Sequence, residues 1–332
     1  MNGCMHELVE VKEMITRGQN LLLAGDEGLL EQLPAGNWIG GSIPYFMTDQ
    51  GGQSTRDKIY VTELPDTIAS LAIKTYDAAT LSSVYTDAAK NGFSLIIVPA
   101  SSATHLEFAL HAPNYPDFAV RPLIGWVSGV HLGDLGKVTP KVFVGPTKNV
   151  LEDGAVVMHV ALPATQVANI DILNIFEQGD GDTITFPHDG FSAREVYVNG
   201  VATNFADYVT QQHLDTRLPL VADYYGARVN VSFQNVDVAR QEVQFYAPVF
   251  AGVDYKHARP IENYVQQFTS QLPTQVGKQI AFSCNCILNY LYSELEGKRT
   301  GNITGPITFG EVAYQLLNQT MVYLTISNRS TN

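Results

Sequence analysis

Cys284 and Cys286 stand at the end of an apolar run, Gln279-Ile280-Ala281-Phe282-Ser283-Cys284-Asn285-Cys286. Its length and content predict a buried strand. Ile287, Leu288, Leu291, Tyr292 and Leu295 then recur at helical spacing, and Gly297-Lys298 is a stop signal. A strand that feeds a helix leaves orphan backbone N–H groups and the positive dipole end at the junction. Such a place binds anions and lowers a thiol pKa, so the chemistry would be thiolate attack or anion capture. The competing reading is that both cysteines are small buried hydrophobes, since free Cys is among the most buried residue types. Cys-x-Cys is not a zinc spacing by itself, and no further Cys or Cys/His pair completes a tetrahedral set.

Other chemistry is poorly supported. The chain has no Gly-x-Ser-x-Gly, no Walker loop and no His-Glu-x-x-His, and Gly40-Gly41-Ser42 lacks the nucleophile-elbow spacing. His105 and His111 lie six apart, which does not put two ligands on one helix face. His131 and His188 read as surface or satisfied histidines, and Asp180-Gly181-Asp182 as a solvated turn without the calcium-loop pattern. Neither a cofactor nor a metal is expected.

A ligand pocket is better served. Trp38, Tyr45, Trp126 and Phe309 supply aromatic walls, Arg121 a planar donor fork, and Ser42, Asn285, Thr308 and Glu311 orienting polar groups. Gly40-Gly41 marks a place where backbone bends or approaches something closely, which adds Gly41 to the set, and Cys284 adjoins it. Glu311 and Arg121 would clamp the two ends of a zwitterion. The bland alternative makes Trp38, Trp126 and Phe309 core and Glu311 a structural hydrogen-bonder.

The elements that must position these residues can be read in order. Helices are predicted over 7–16, 27–33, 81–91, 103–112, 167–176, 205–214, 261–272 and 287–296. Strands are predicted over 21–25, 58–64, 69–76, 94–99, 120–130, 141–144, 155–162, 183–187, 195–200, 228–233, 242–249, 254–259, 279–286 and 320–326. Segment 305–312 reads as turn-rich. Strands and helices alternate to about residue 115 and strands dominate after 120, so the fold class is α/β with mixed α+β character. A boundary near 163–170 gives two sheet-containing halves, 1–163 and 164–332.

The Cys-ended strand, the helix after it and the element Gly305-Pro306-Ile307-Thr308-Phe309-Gly310-Glu311-Val312 together resemble the C-terminal half of FIST domains. Only Thr308–Val312 is sharply motif-like, although the order of elements fits over most of the chain. Where that family usually has an Arg-Gly type turn after the strand Cys, this chain has Asn285-Cys286-Ile287. The resemblance implies an intracellular small-ligand sensor of FIST N-terminal and C-terminal halves. Amino acids or related metabolites would bind in a cleft between the halves.

Composition narrows the partners. The 332 residues carry 20 Lys+Arg against 33 Asp+Glu, a net charge of −13, with no basic cluster, which disfavours nucleic acid and anionic membrane surfaces. Three cysteines are too few for a disulfide framework. The opening Met1-Asn2-Gly3-Cys4-Met5-His6-Glu7 is not a signal peptide, and no apolar run reaches the roughly 18 residues of a spanning helix. A bacterial cytoplasmic protein is expected. Three functional classes stay open: a small-molecule sensor, alone or with a signalling partner; an enzyme using Cys284 or Cys286 as nucleophile; and a scaffold that forms homo-oligomers through an exposed sheet edge.

Overall fold

The computed structural model describes residues 3–224, 227–271 and 279–329. The fold is mixed α/β, 16% helix and 43% strand, with several mixed sheets. Its contacts form two compact units. One comprises Met1–Leu173, Leu272–Leu316 and Met321–Asn332; the other comprises Asn174–Gln271 and Leu317–Thr320. Residues beyond 164 are therefore shared between both units rather than forming one of them.

In the first unit, one sheet has the order Cys4–His6, Ile59–Glu63, Leu21–Gly25, Trp38–Ser42, Val142–Val144 and Asn149–Leu151. Leu21–Gly25 and Trp38–Ser42 run parallel, and the other pairings are antiparallel. A second sheet brings together Glu311–Ala313, Leu123–Ser128, Gly92–Pro99, Ala155–Ala161 and Ser70–Tyr76. A third has Gln166–Leu173, Met321–Asn328, Gln279–Cys286, Gly305–Thr308, Tyr45–Thr48 and Gly51–Ser54. Gly92–Pro99 is buried from Phe93 onward and apolar except for Ser94, because it is central and covered on both faces.

Gly40-Gly41 is straight strand, so close approach and not a bend explains the pair. A Cβ on Gly41 would lie 2.7 Å from Ile97 Cγ2 and 3.0 Å from the Trp126 indole nitrogen, so only glycine lets the first two sheets meet there. Helix Leu8–Thr16 buries Val11 and Ile15 against Leu21, Leu23, Trp38 and Phe143.

The second unit is built on a sheet of order Val201–Asn204, Glu195–Val198, Ile184–Thr185, Tyr255–His257, Leu220–Tyr224 and Ala227–Val231, with a three-stranded sheet beside it. Its core is aromatic. Phe186 meets Phe205, Phe245 and Tyr255 edge-on at 5.3–5.8 Å, in the geometry favoured by ring quadrupoles. Asn204 caps helix Phe205–Gln211 by accepting from the Asp207 N–H at 3.0 Å.

Two predicted helices are absent. Residues 81–91 form only the short 3-10 turn Leu81–Ser83 followed by turns. The Asp77 carboxylate accepts from the backbone N–H groups of Ala79 and Thr80, and such local bonds compete with a helical start. Residues 167–173 belong instead to the strand Gln166–Leu173, paired with Met321–Asn328 over eight residues. Val167, Ile170 and Ile172 suit a pleated surface, and the distant partner strand overrides the local helical spacing. Segment 305–312 holds two strands, Gly305–Thr308 and Glu311–Ala313, with a turn only at Phe309-Gly310. Helix Tyr264–Gln271 stands where 261–272 was predicted, and Leu272 lies outside the described residues. Among the described residues no helix is long and apolar enough to cross a membrane.

Candidate functional site

Strand Gln279–Cys286 lies between Met321–Asn328, its antiparallel neighbour, and Gly305–Thr308, its parallel one. That central position buries both cysteines to 1% exposure. The Cys284 thiol donates to the Gly125 carbonyl oxygen at 3.3 Å. Burial pushes this thiol well above its ordinary range, and the nearby Glu311 and Cys286 push the same way. The expected lowering at a helix start is therefore reversed. Helix Ile287–Tyr292 is only six residues long, and desolvation outweighs whatever its dipole offers.

The neighbouring predicted residues are interior too. Asn285 Oδ1 accepts from the Cys286 N–H at 2.8 Å and from Asn289 Nδ2 at 2.9 Å. Thr308, fully buried, donates to the Gly310 carbonyl at 3.1 Å. Phe309 lies against Gly129, where a Cβ would come within 2.4 Å of its ring. Trp126 stacks on Phe282 at 5.5 Å, and the fully buried Glu311 is its partner in the sheet register. Gly41, Trp126, Cys284, Asn285, Thr308 and Glu311 thus form a packed polar and aromatic centre in the first unit, not an open pocket wall.

Two predicted residues lie elsewhere. Trp38 belongs to the core under helix Leu8–Thr16, and its indole donates to the Pro34 carbonyl at 2.9 Å. Arg121 donates to the Lys90 carbonyl at 3.0 Å before its strand begins, five residues from the position that faces Glu311. That is roughly 16 Å of extended chain. The Glu311–Arg121 clamp does not form.

Ser42 does border an open site, and the buried Tyr45 packs behind its lining. A cavity of ≈ 60 Å³ is lined by Asp26, Glu27, Ser42, Arg56, His131 and Asp134, among others. It lies at the carboxyl ends of Leu21–Gly25, Trp38–Ser42 and Leu123–Ser128, where open α/β sheets hold ligands. The Gly129 N–H donates to the Ser42 carbonyl at 2.8 Å and joins two of those ends. The Ser42 hydroxyl accepts from the Lys141 N–H at 2.9 Å, so it holds the wall in place.

Charges of both signs meet there. Arg56 donates to Asp134, and its Nε is 3.9 Å from the Asp26 carboxylate. The bond to Asp134 raises the guanidinium above its ordinary range. Lys141 pairs with Glu27. His131 Nδ1 accepts from the Gly133 N–H at 3.1 Å, so the neutral ring carries its proton on Nε2. The ring stacks on Tyr45 at 5.7 Å, and the Tyr45 hydroxyl accepts from the Leu132 N–H at 3.0 Å. Arg56 and Asp134 escaped sequence reasoning because they lie in a bend and a short 3-10 turn 78 positions apart, where no periodicity links them. Among the described residues, no group of three or more His, Cys, Asp or Glu side chains could hold a metal ion.

A comparison with curated proteins finds no match. A family model does match, over residues 6–327 and so nearly the whole length. The chain belongs to DUF6976, a family of unknown function.

Proposed function

We propose that the protein binds a small zwitterionic metabolite, an amino acid or a close relative, at the carboxyl-end cavity of the first unit. The observation that supports this is the Arg56 guanidinium held beside Asp134 and Asp26 at the mouth of that cavity. Arg56 would take the ligand carboxylate and the acidic rim its ammonium group. A volume of ≈ 60 Å³ suits a charged head group and is far below the roughly 300 Å³ at which drug-sized ligand sites begin. The FIST resemblance belongs to this reading: it supplies the expectation of a sensor without catalysis, with the Cys-ended strand and the Thr308–Val312 element as framework around the site.

Thermal denaturation against a panel of amino acids, amines and organic acids tests it. A ligand at 100 times its dissociation constant adds about 2.7 kcal/mol of stability. Arg56→Ala and Asp134→Asn should abolish that gain. Each should cost the free protein no more than about 1 kcal/mol, the usual worth of an exposed ion pair. A panel without a hit, or a hit indifferent to both variants, would overturn the reading.

A further inference from the structure

The N-terminal strand carries a side-chain arrangement that the cavity above does not use. Cys4 and His6 lie two apart on the strand Cys4–His6, so the period of two places them on one face. Pairing with Ile59–Glu63 holds the strand, with Cys4 opposite Val61 and His6 opposite Ile59. Cys4 Sγ is 3.0 Å from His6 Nε2, and His6 Nδ1 is 3.2 Å from Glu10 Oε2. Glu10 stands in the first turn of helix Leu8–Thr16 and also accepts the Glu7 N–H at 3.0 Å, which fixes its carboxylate. That backbone bond and then the one from His6 hold the Glu10 carboxyl below its usual range, so it is ionised and only accepts. Nδ1 must then carry the imidazole proton, and the lone pair of Nε2 faces the thiol.

Nucleophile, base and orienter thus stand in line, each within hydrogen-bond reach of the next. The two ring nitrogens face opposite partners, so the three groups do not converge on one point as metal ligands would. Unlike Cys284 and Cys286, Cys4 is exposed. It lines a cavity of ≈ 400 Å³ with Asp49, Gln53, Lys58, Tyr60 and Thr304. That volume is within the range of small-molecule sites, and the largely apolar lining carries polar side chains and a charge of each sign.

We propose that Cys4, His6 and Glu10 form a nucleophilic thiol site that accepts acyl groups from small polar esters, thioesters or amides bound in this cavity. Partial burial and the charges of Asp49 and Glu10 hold the thiol above its ordinary range, so it rests protonated and attack requires the base. As Sγ bonds to the acyl carbon, its proton passes to His6 Nε2. The imidazolium, steadied by Glu10, returns that proton to the leaving oxygen, sulfur or nitrogen as the bond to the acyl carbon breaks. A thioester on Cys4 remains. Water then gives a proton to Nε2 while attacking the thioester carbonyl, the C–S bond breaks, and Sγ recovers the proton as the carboxylic acid departs. No electrons are exchanged with a further reagent.

The full chain and p-nitrophenyl acetate test this by stopped flow and peptide mass mapping. The expected result is a burst of one p-nitrophenolate per chain and an acetyl group on Cys4, with Cys284 and Cys286 unmodified. Cys4→Ala removes burst and adduct. His6→Gln slows the burst by about 100-fold or more, the usual contribution of a general base. Glu10→Gln keeps an acceptor for the Glu7 N–H but loses the charge. Burst rate against pH should then have its half-maximal point at lower pH, and Glu10→Asp should restore much of it. Glu7, Asp49, Lys58 and Tyr60 also stand near the group and are unchanged across the series, so the shift reports Glu10. A burst no faster than that of N-acetylcysteine, or one unaffected by His6→Gln, would overturn the proposal.

Discussion

The Cys284 thiol donates to the carbonyl oxygen of Gly125 at 3.3 Å, joining two sheets of the first unit at a residue with no side chain. Gly125 is glycine because strand Gly92–Pro99 leaves no room: a Cβ would lie 1.8 Å from the Ile96 carbonyl oxygen. Gly125→Ala should therefore cost at least about 3 kcal/mol, since the clash is with backbone that cannot rotate away. Gly181→Ala, with nothing within 4 Å of its Cβ, should stay within about 0.5 kcal/mol of the parent. Urea denaturation of both variants checks the contrast.

Thiol titration should separate the cysteines. Cys4 is exposed, while Cys284 and Cys286 are buried and the Cys284 thiol is held well above its ordinary range. Ellman's reagent should count one thiol per native chain and three in denaturant. Three fast native thiols would contradict the packing around Cys284.

Arg121 and Glu311 should behave as unrelated residues. Arg121→Ala should leave stability within about 0.5 kcal/mol, because its guanidinium bonds the carbonyl of the exposed Lys90 in an exposed contact. Glu311→Ala should cost about 2–4 kcal/mol, because the residue is fully buried and its removal leaves a cavity among polar neighbours. A double-mutant cycle should give no coupling between them, whereas a zwitterion clamp would give it.

Acid should weaken the fold through two histidines. His159 Nδ1 lies 2.7 Å from Ser94 Oγ, and its Nε2 lies 2.7 Å from the Tyr76 hydroxyl. Burial pushes His159 down to about 4, as it does His105, against an ordinary 6.5. Between those values the unfolded chain binds protons that the folded chain refuses. Stability is thus fully present above pH 6.5 and falls by up to about 1.4 kcal/mol per pH unit per histidine as pH drops toward 4. His159→Gln should flatten part of that slope in urea melts at pH 4.5 and 7.

Much of the framework was legible where local pattern and final environment agree. Strands Glu242–Val249 and Gln279–Cys286 fall where alternation or continuous apolar content places them. The helix predicted from residue 27 starts there, capped by Asp26, which accepts from the Gly28 N–H at 3.1 Å. Where partners come from far along the chain the pattern misleads, as at Gln166–Leu173, whose helical spacing yields to a strand some 150 residues away. The candidate site was legible as a neighbourhood but not as a surface. Gly41, Trp126, Cys284 and Glu311 do gather, yet residue type alone does not distinguish a packed centre from a pocket wall. Arg56 and Asp134 left no periodic trace. The Cys4–His6–Glu10 line did leave a signal: spacings of two and then four, which suit a strand that hands over to a helix.

The first unit is finished by strands encoded late. Tyr45–Thr48 waits for Gly305–Thr308, Leu123–Ser128 for Glu311–Ala313, and Gln166–Leu173 for Met321–Asn328. At 5–20 residues per second a ribosome needs roughly 10–50 s to bridge the first of these gaps. Throughout that interval the nascent chain presents bare, partly apolar strand edges. Production of this protein should accordingly depend on chaperone supply and slow translation, and messages truncated before the last strand should yield aggregates rather than shortened folded chains.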